Sequence, residues 1–189
     1  MRAVGRPIID VLSRYRPRDP AEAVDILRVR ELAESAADPW SRSIPLHTTA
    51  SALIVHPGSG RVLMRWHARQ NSWLQVGGHG DPGESDPLDI AMREAREETG
   101  LGDLVPYPDG SAVQVVIVPV AAGGDEPAHE HADLRFVLST AEPDAARPEK
   151  PDAPLRWMTP SEAREHTSEP NVREGLRRVE RLLAGAEQG

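Results

Sequence analysis

The chain has 189 residues, and 22 Lys and Arg against 30 Asp and Glu give a formal net charge of −8. A chain of this length buries roughly 70% of its unfolded surface and holds a core without disulfides, while the acidic balance argues against a nucleic-acid polymer or an anionic membrane surface as partner. With no cysteine, thiolate metal sites and cysteine nucleophiles are excluded, as suits a reducing compartment.

No secretory leader is visible among the opening residues, which carry Arg2, Arg6, Arg14, Arg16 and Arg18. No run approaches the ~20 apolar residues of a membrane span. The expectation is a cytoplasmic protein. A short helix is predicted from Pro7 to Tyr15. A second starts at Asp19 as N-cap with Pro20 at the first helical position, carries an apolar stripe of Val24, Ile26, Leu27 and Leu32, and runs to about Ala37. The break from Pro39 to Pro45 divides a helical extension, residues 1–42, from a main domain, residues 43–167, and a C-terminal helix, residues 168–189, packed on it.

Beyond the break the pattern turns to strands. Thr49–Val55 and Arg61–Trp66 flank a Gly/Pro turn and read as a hairpin. Val113–Val120 and Leu134–Thr140 are further strands, separated by a polar loop over Ala121–Asp133. Pro143–Pro154 reads as a surface loop and Leu155–Met158 as a short strand. Thr159 and Glu162 are spaced as a capping box. Asn171 with Glu174 is expected to cap the last helix, whose apolar face is Val172, Leu176, Val179, Leu182 and Leu183.

The chemistry concentrates between Gly77 and Leu101. Asp86 as cap, Pro87 at the first position and Gly100 at C′ punctuate a helix. On it Leu88, Ala91, Met92, Ala95 and Thr99 face the core, and Glu94, Glu97 and Glu98 share the neighbouring face at i, i+3 and i+4. Three carboxylates within a turn repel one another. Arg93 and Arg96 compensate in part, and a divalent cation supplies the rest. Oxygen ligands favour Mg2+, with Mn2+ as a substitute, over zinc. Mg2+ commonly bridges carboxylates to substrate phosphates. The preceding loop, with Gly77, Gly78, Gly80 and Gly83, lets backbone approach a metal or phosphate closely.

Gly78, five residues, Glu84, then Arg93-Glu94-Ala95-Arg96-Glu97-Glu98-Thr99-Gly100-Leu101 resembles the Nudix box of the Nudix hydrolases. It departs once, with eight residues rather than seven between Glu84 and Arg93, as for a one-residue insertion in the stretch Ser85–Leu88. The resemblance implies an α/β fold, an α/β/α sandwich around a mixed sheet with the N-terminal helices packed outside. It implies a Mg-dependent pyrophosphohydrolase in which water attacks phosphorus in a small-molecule nucleoside diphosphate derivative. It also implies that Glu97, Glu98 and the Gly77 carbonyl hold metal, that Glu94 is a ligand or the base, that Arg93 orients these carboxylates, and that Glu84 supports the loop. Dimerisation follows from the resemblance alone. Family members often take the base from a later loop, where Glu126, Glu130 and Asp133 are candidates. His131 and Asp133, pointing opposite to Glu130 in an extended chain, join Gly78 and His79 as candidate substrate contacts. Trp66, Trp73 and Trp157 are candidates for base stacking, and His67 and Arg69 for phosphate. A non-catalytic ligand sensor of the same fold is the other reading; such modules usually lose box carboxylates, which are all present here.

Overall fold

A computed structural model describes residues 3–124 and 126–186. Two helices lead, α1 (Arg6–Arg14) and α2 (Pro20–Ser35). The hairpin follows as β1 (Leu46–His56) and β2 (Arg61–His67), then β3 (Ser72–Leu74) and β4 (Val76–Gly78). After α3 (Pro87–Thr99) come β5 (Val105–Pro106), β6 (Gln114–Val120), β7 (His129–Ser139) and β8 (Leu155–Met158), and α4 (Pro160–His166) and α5 (Pro170–Ala186) end the described chain. No helix among the described residues is long and apolar enough to cross a membrane.

All eight strands form one mixed sheet. Its spine runs β3-β2-β1-β7-β5, with β4 on β1, β6 on β7 and β8 on β2. β1 and β7 are parallel over ten residue pairs, from Leu46↔Glu130 to Val55↔Ser139. Every other pairing is antiparallel. Residues 47–55 of β1 are buried without interruption, because a strand alternates its side chains between two covered faces. Ala50, Ala52 and Ile54 join one core with Ile90, Ala91 and Ala95 of α3 and Ile26, Val29 and Ala33 of α2. Leu53 and Val55 join the other, with Val172, Leu176, Val179 and Leu183 of α5. The result is the expected α/β/α sandwich.

Helix punctuation behaves as local chemistry dictates. Asp19 accepts from the Glu22 N–H, Asp86 from those of Leu88 and Asp89, and Thr159 and Glu162 close their capping box. Gly100 ends α3 in the left-handed region at φ 67°, where a side chain is strained.

Three expectations are corrected. Val24 and Leu27 are exposed rather than buried, and the buried face of α2 is Glu22, Ile26, Val29, Leu32 and Ala33. The reason is an ion pair: the fully buried Arg178 of α5 binds Glu22 at 2.6 Å and turns that side of α2 inward. The N-terminal helices pack on the sheet core as expected, through Ile8, Leu12, Ile26, Val29 and Ala33. Asn171 lies within α5, one residue past its start, and its side-chain oxygen accepts from Arg135 at 2.7 Å. Lastly, residues 129–133 of the expected polar loop are strand, since β7 begins at His129 and is held by the backbone of residues 46–49.

Candidate active site

β4 is the pivot of the site. Its three residues, Val76–Gly78, pair with Ala50–Ala52 of β1, setting Ser51 opposite Gly77. At Gly77, φ is 146°, and an added Cβ would stand 2.4 Å from Ser51 Cβ and 2.6 Å from the Ala50 carbonyl oxygen. No other residue type fits. At Gly78 an added Cβ would stand 2.7 Å from the Glu94 carboxylate. These glycines let α3 lay its carboxylates against the strand.

Glu98 is gripped at both oxygens. The Gly77 N–H donates to Oε2 at 3.1 Å, and Arg65 Nη1 lies 3.3 Å from Oε1. Arg93 organises the rest. It holds Glu84 through two bonds of 2.9 and 3.0 Å, Glu94 at 3.0 Å and Glu97 at 2.9 Å, and it donates to the His79 carbonyl at 2.9 Å. Glu84 also accepts from the Asp81 N–H at 2.8 Å, so it ties the loop to the helix despite the extra residue in the spacing. Such two-pronged Arg–carboxylate contacts fix orientation as well as charge. Burial pushes the Glu98 and Glu94 carboxyls above the ordinary 4.5, against the pull of Arg65 and Arg93 respectively. Hydrogen bonding to Arg93 holds Glu84 below it. Two half-desolvated carboxylates with raised pKa values are a form of charge stress that a cation relieves.

A cleft of about 260 Å3 opens beside Gly77, Gly78 and Glu98. Its floor is a ladder of polar pairs on one face of the parallel strands, Thr49 beside Asp133 and Ser51 beside Arg135, continued past the cleft by the buried His47 beside His131, which itself lines the cleft. Asp133 accepts from Thr49 at 3.1 Å, Ser51 at 2.9 Å and Arg135 at 2.8 Å. Arg135 reaches on to Gln114 and to Asn171 of α5. Arg65 and Gln75 also line the cleft, and Arg65 Nε and Gln75 Oε1 are buried with no hydrogen-bond partner among the described residues. Buried polar atoms are normally paired, so these two orphans mark places for ligand or water. Burial, followed by the charge of Arg42 and neighbouring imidazoles, lowers His79 to about 3. Burial lowers His131 to about 4, with His47 next among the causes. Both rings are neutral at pH 7.

Gly77, Gly78, His79, Glu98, His131 and Asp133 line this cleft. Glu94 stands behind Gly78, while Arg93 and Glu84 brace the loop. Glu97 is half exposed and bound to Arg93. Glu130 does not face the cleft. Strand alternation turns it to the opposite side of β7, where Arg28 of α2 holds it at 2.6 and 3.2 Å and keeps its pKa low. Glu126 is exposed and paired with Arg69 at 3.3 Å, outside the cleft. Trp66 and Trp73 form a cross-strand edge-to-face pair at 5.6 Å, and Trp157 donates to the Pro143 carbonyl; none of the three lines the cleft. His67 lines it and Arg69 does not.

Sequence reasoning missed Arg65, Gln75, Arg135 and the buried His47. Each sits on or beside a strand whose inward register depends on partners far along the chain. Alternation through His47-Thr48-Thr49-Ala50-Ser51, matched to His131-Ala132-Asp133-Leu134-Arg135, is the signal that finds the ladder.

Comparison with known proteins agrees with this geometry. The NUDIX domain profile matches residues 45–179. A Lactococcus lactis subsp. cremoris protein described as a probable DHNTP pyrophosphohydrolase is 30% identical over 150 residues, 75% of this chain and 85% of that protein. Among solved structures, a C. elegans Ap4A hydrolase binary complex superposes with a TM-score of 0.59 at 21% identity, covering 73% of this chain and 98% of that one. The E. coli dihydroneopterin triphosphate pyrophosphohydrolase gives 0.54 at 18% identity, covering 69% and 92%. These two share the fold. With the profile spanning residues 45–179, most of the chain, the chain belongs to the Nudix hydrolase family.

Proposed function

We propose that the protein is a Mg2+-dependent pyrophosphohydrolase that cleaves a phosphoanhydride bond in a nucleoside diphosphate derivative by water attack on phosphorus. The observation that carries the reading is the packing of Glu94 and Glu98, both with raised pKa values, against the Gly77–Gly78 strand at the mouth of a cleft that also holds Arg65 and Arg135. The donor set fits the metal. Glu94, Glu97 and Glu98 offer hard carboxylate oxygens, and the missing side chain at Gly78 lets the Glu94 carboxylate lie against the strand, where a Cβ would clash with it at 2.7 Å.

Glu97, Glu98 and the Gly77 peptide would hold Mg2+, with Mn2+ as a substitute. When bound, the ion neutralises phosphate charge and makes the phosphorus easier to attack. The remaining work belongs to the chain, and it is mainly positioning and charge stabilisation. Arg93 fixes the carboxylates. Arg65, with its unpaired Nε, and His79 and Gly78 contact the diphosphate. Glu94, bound by Arg93 through Oε1 alone, accepts the proton from the attacking water. The later candidates for that role are occupied: Glu126 by Arg69, Glu130 by Arg28, Asp133 by Thr49, Ser51 and Arg135. Asp133 and His131 shape the substrate floor.

The test is cleavage of a panel of compounds with Mg2+ and with EDTA, with every product (nucleotides, sugar phosphates, phosphate and pyrophosphate) resolved by ion-exchange chromatography. The panel holds nucleoside triphosphates, ADP-ribose, nucleotide sugars, a dinucleoside polyphosphate and a pterin triphosphate, the last two prompted by the relatives' substrates. Metal-dependent turnover of at least one compound is expected. Tight binding across the panel with no turnover would make the protein a sensor instead.

A further inference from the structure

Seven histidines are present in the chain, and four of them cluster at one end of the cleft, His79 and His131 lining it. His47 comes from β1, His79 from the loop after β4, and His129 and His131 from the start of β7. One ring nitrogen from each of His47, His79 and His131 lies within 4.8 Å of the other two. The His47 ring stacks on His129 at 5.3 Å and meets His131 edge-on at 5.0 Å; His79 meets His131 edge-on at 4.9 Å.

The hydrogen bonds orient these rings. His47 Nδ1 lies 3.0 Å from the Ile44 carbonyl oxygen and His129 Nδ1 lies 2.9 Å from that of Pro127. A carbonyl only accepts, so both Nδ1 atoms carry a proton, and Nε2 is the nitrogen of each ring that can present a lone pair. His47 Nε2 points at His79 Nε2 across 3.1 Å, and His129 Nε2 at His131 Nε2 across 3.1 Å. An imidazole anchored through Nδ1 to a carbonyl, with Nε2 free, is the usual pose of a metal-ligating histidine. Two nitrogens each ~2.0–2.1 Å from a tetrahedral zinc stand about 3.3 Å apart; the His47–His79 pair is at 3.1 Å, and all three nitrogens lie within 4.8 Å of one another.

The structure assigns His47, His79 and His131 as a second metal site, separate from the carboxylates of α3, for a nitrogen-preferring transition ion of the zinc class. Imidazole selects Zn2+, Co2+, Ni2+ or Cu2+, while carboxylate and carbonyl oxygen suit Mg2+. Three protein ligands leave a fourth position open, and since His79 and His131 line the cleft, that position faces it. His129, bonded to His131, supports the set from the rim. The site joins three segments far apart in the chain, and it stands whether or not the protein hydrolyses diphosphates.

The test uses the full chain stripped of metal and titrated with Co2+. One equivalent of ion should produce the visible absorption of low-coordinate cobalt, removed by Zn2+ and untouched by excess Mg2+. His47→Ala and His131→Asn should each lose that spectrum, whereas Glu97→Gln, on the carboxylate helix, should retain it. Zn2+ should also raise the Tm of the parent chain and leave that of His131→Asn unmoved, a readout that needs only a folded variant. An absent cobalt band overturns the assignment. So does a band that survives in His131→Asn or disappears in Glu97→Gln.

Discussion

Replacing Arg178 with Met tests how the N-terminal helices are attached. The guanidinium is fully buried and donates to Glu22 at 2.6 Å, the Tyr15 hydroxyl at 2.7 Å, the Val113 carbonyl at 3.0 Å and Glu174 at 2.9 Å. Methionine fills most of the aliphatic stem, so the loss is mainly electrostatic. Glu22, itself 6% exposed, keeps only the Tyr15 hydroxyl and the Arg18 N–H as donors from outside its own helix. Removing one partner of a buried ion pair costs about 3–5 kcal/mol, a large share of the roughly 5–15 kcal/mol that stabilises a domain. With an m-value near 2 kcal/mol/M, the urea midpoint should fall by about 2 M. The assay is urea unfolding followed by far-UV circular dichroism. The double variant Arg178→Met with Glu22→Gln removes the stranded charge and should recover at least half of the loss. A single variant within about 1 kcal/mol of the parent would refute the reasoning, as would a double variant no more stable than the single.

The two strand glycines should separate stability from activity. Gly77→Ala forces a left-handed φ and a clash with the backbone of residue 50, and should cost at least about 2 kcal/mol in the same urea assay. Gly78→Ala meets only the movable Glu94 carboxylate, and should leave the urea midpoint near the parent's while turnover falls. Glu94→Gln and Glu98→Gln should each keep the far-UV spectrum and lose Mg2+-dependent turnover by about 100-fold or more; unchanged turnover in Glu98→Gln would take α3 out of the mechanism. Asp103 accepts from the Thr140 hydroxyl at 2.6 Å and the Ala141 N–H at 2.8 Å, and these bonds hold its carboxyl below the ordinary 3.8. A depressed folded pKa contributes stability that is complete above the unfolded value and lost as pH falls through the folded one. Stability curves of the parent and Asp103→Asn should therefore differ at neutral pH and converge below pH 3.8; a constant offset down to acid pH would show that the charge is not responsible.

What the sequence made legible was local. Asp86, Pro87 and Gly100 bound α3, and Thr159 with Glu162 opens α4, because capping involves residues within one turn of each other. The box stood out for the same reason, since its carboxylates meet through helical spacing alone. The stretch from His129 to Asp133 looked like a loop because it is polar, and its pairing with β6 on one side and with β1, 84 residues away, on the other makes it a strand. Val24 and Leu27 look buried on an apolar count, yet Glu22 is the buried residue, for a reason found at position 178. Arg65 and Arg135 are unremarkable basic residues until the sheet brings one to Glu98 and the other to Asp133.

The order in which such a chain can be completed during synthesis follows from Arg178. Its contacts with Glu22 and Tyr15 span 156 and 163 residues, and contacts of such long range are slow to form. When the ribosome has made the first two helices, Glu22 has no guanidinium to meet, and neither β7 nor α5 yet exists. A nascent chain ending before residue 178 carries an acidic side chain that favours water over the core. The N-terminal pair therefore gains its buried ionic anchor only once α5 has been made.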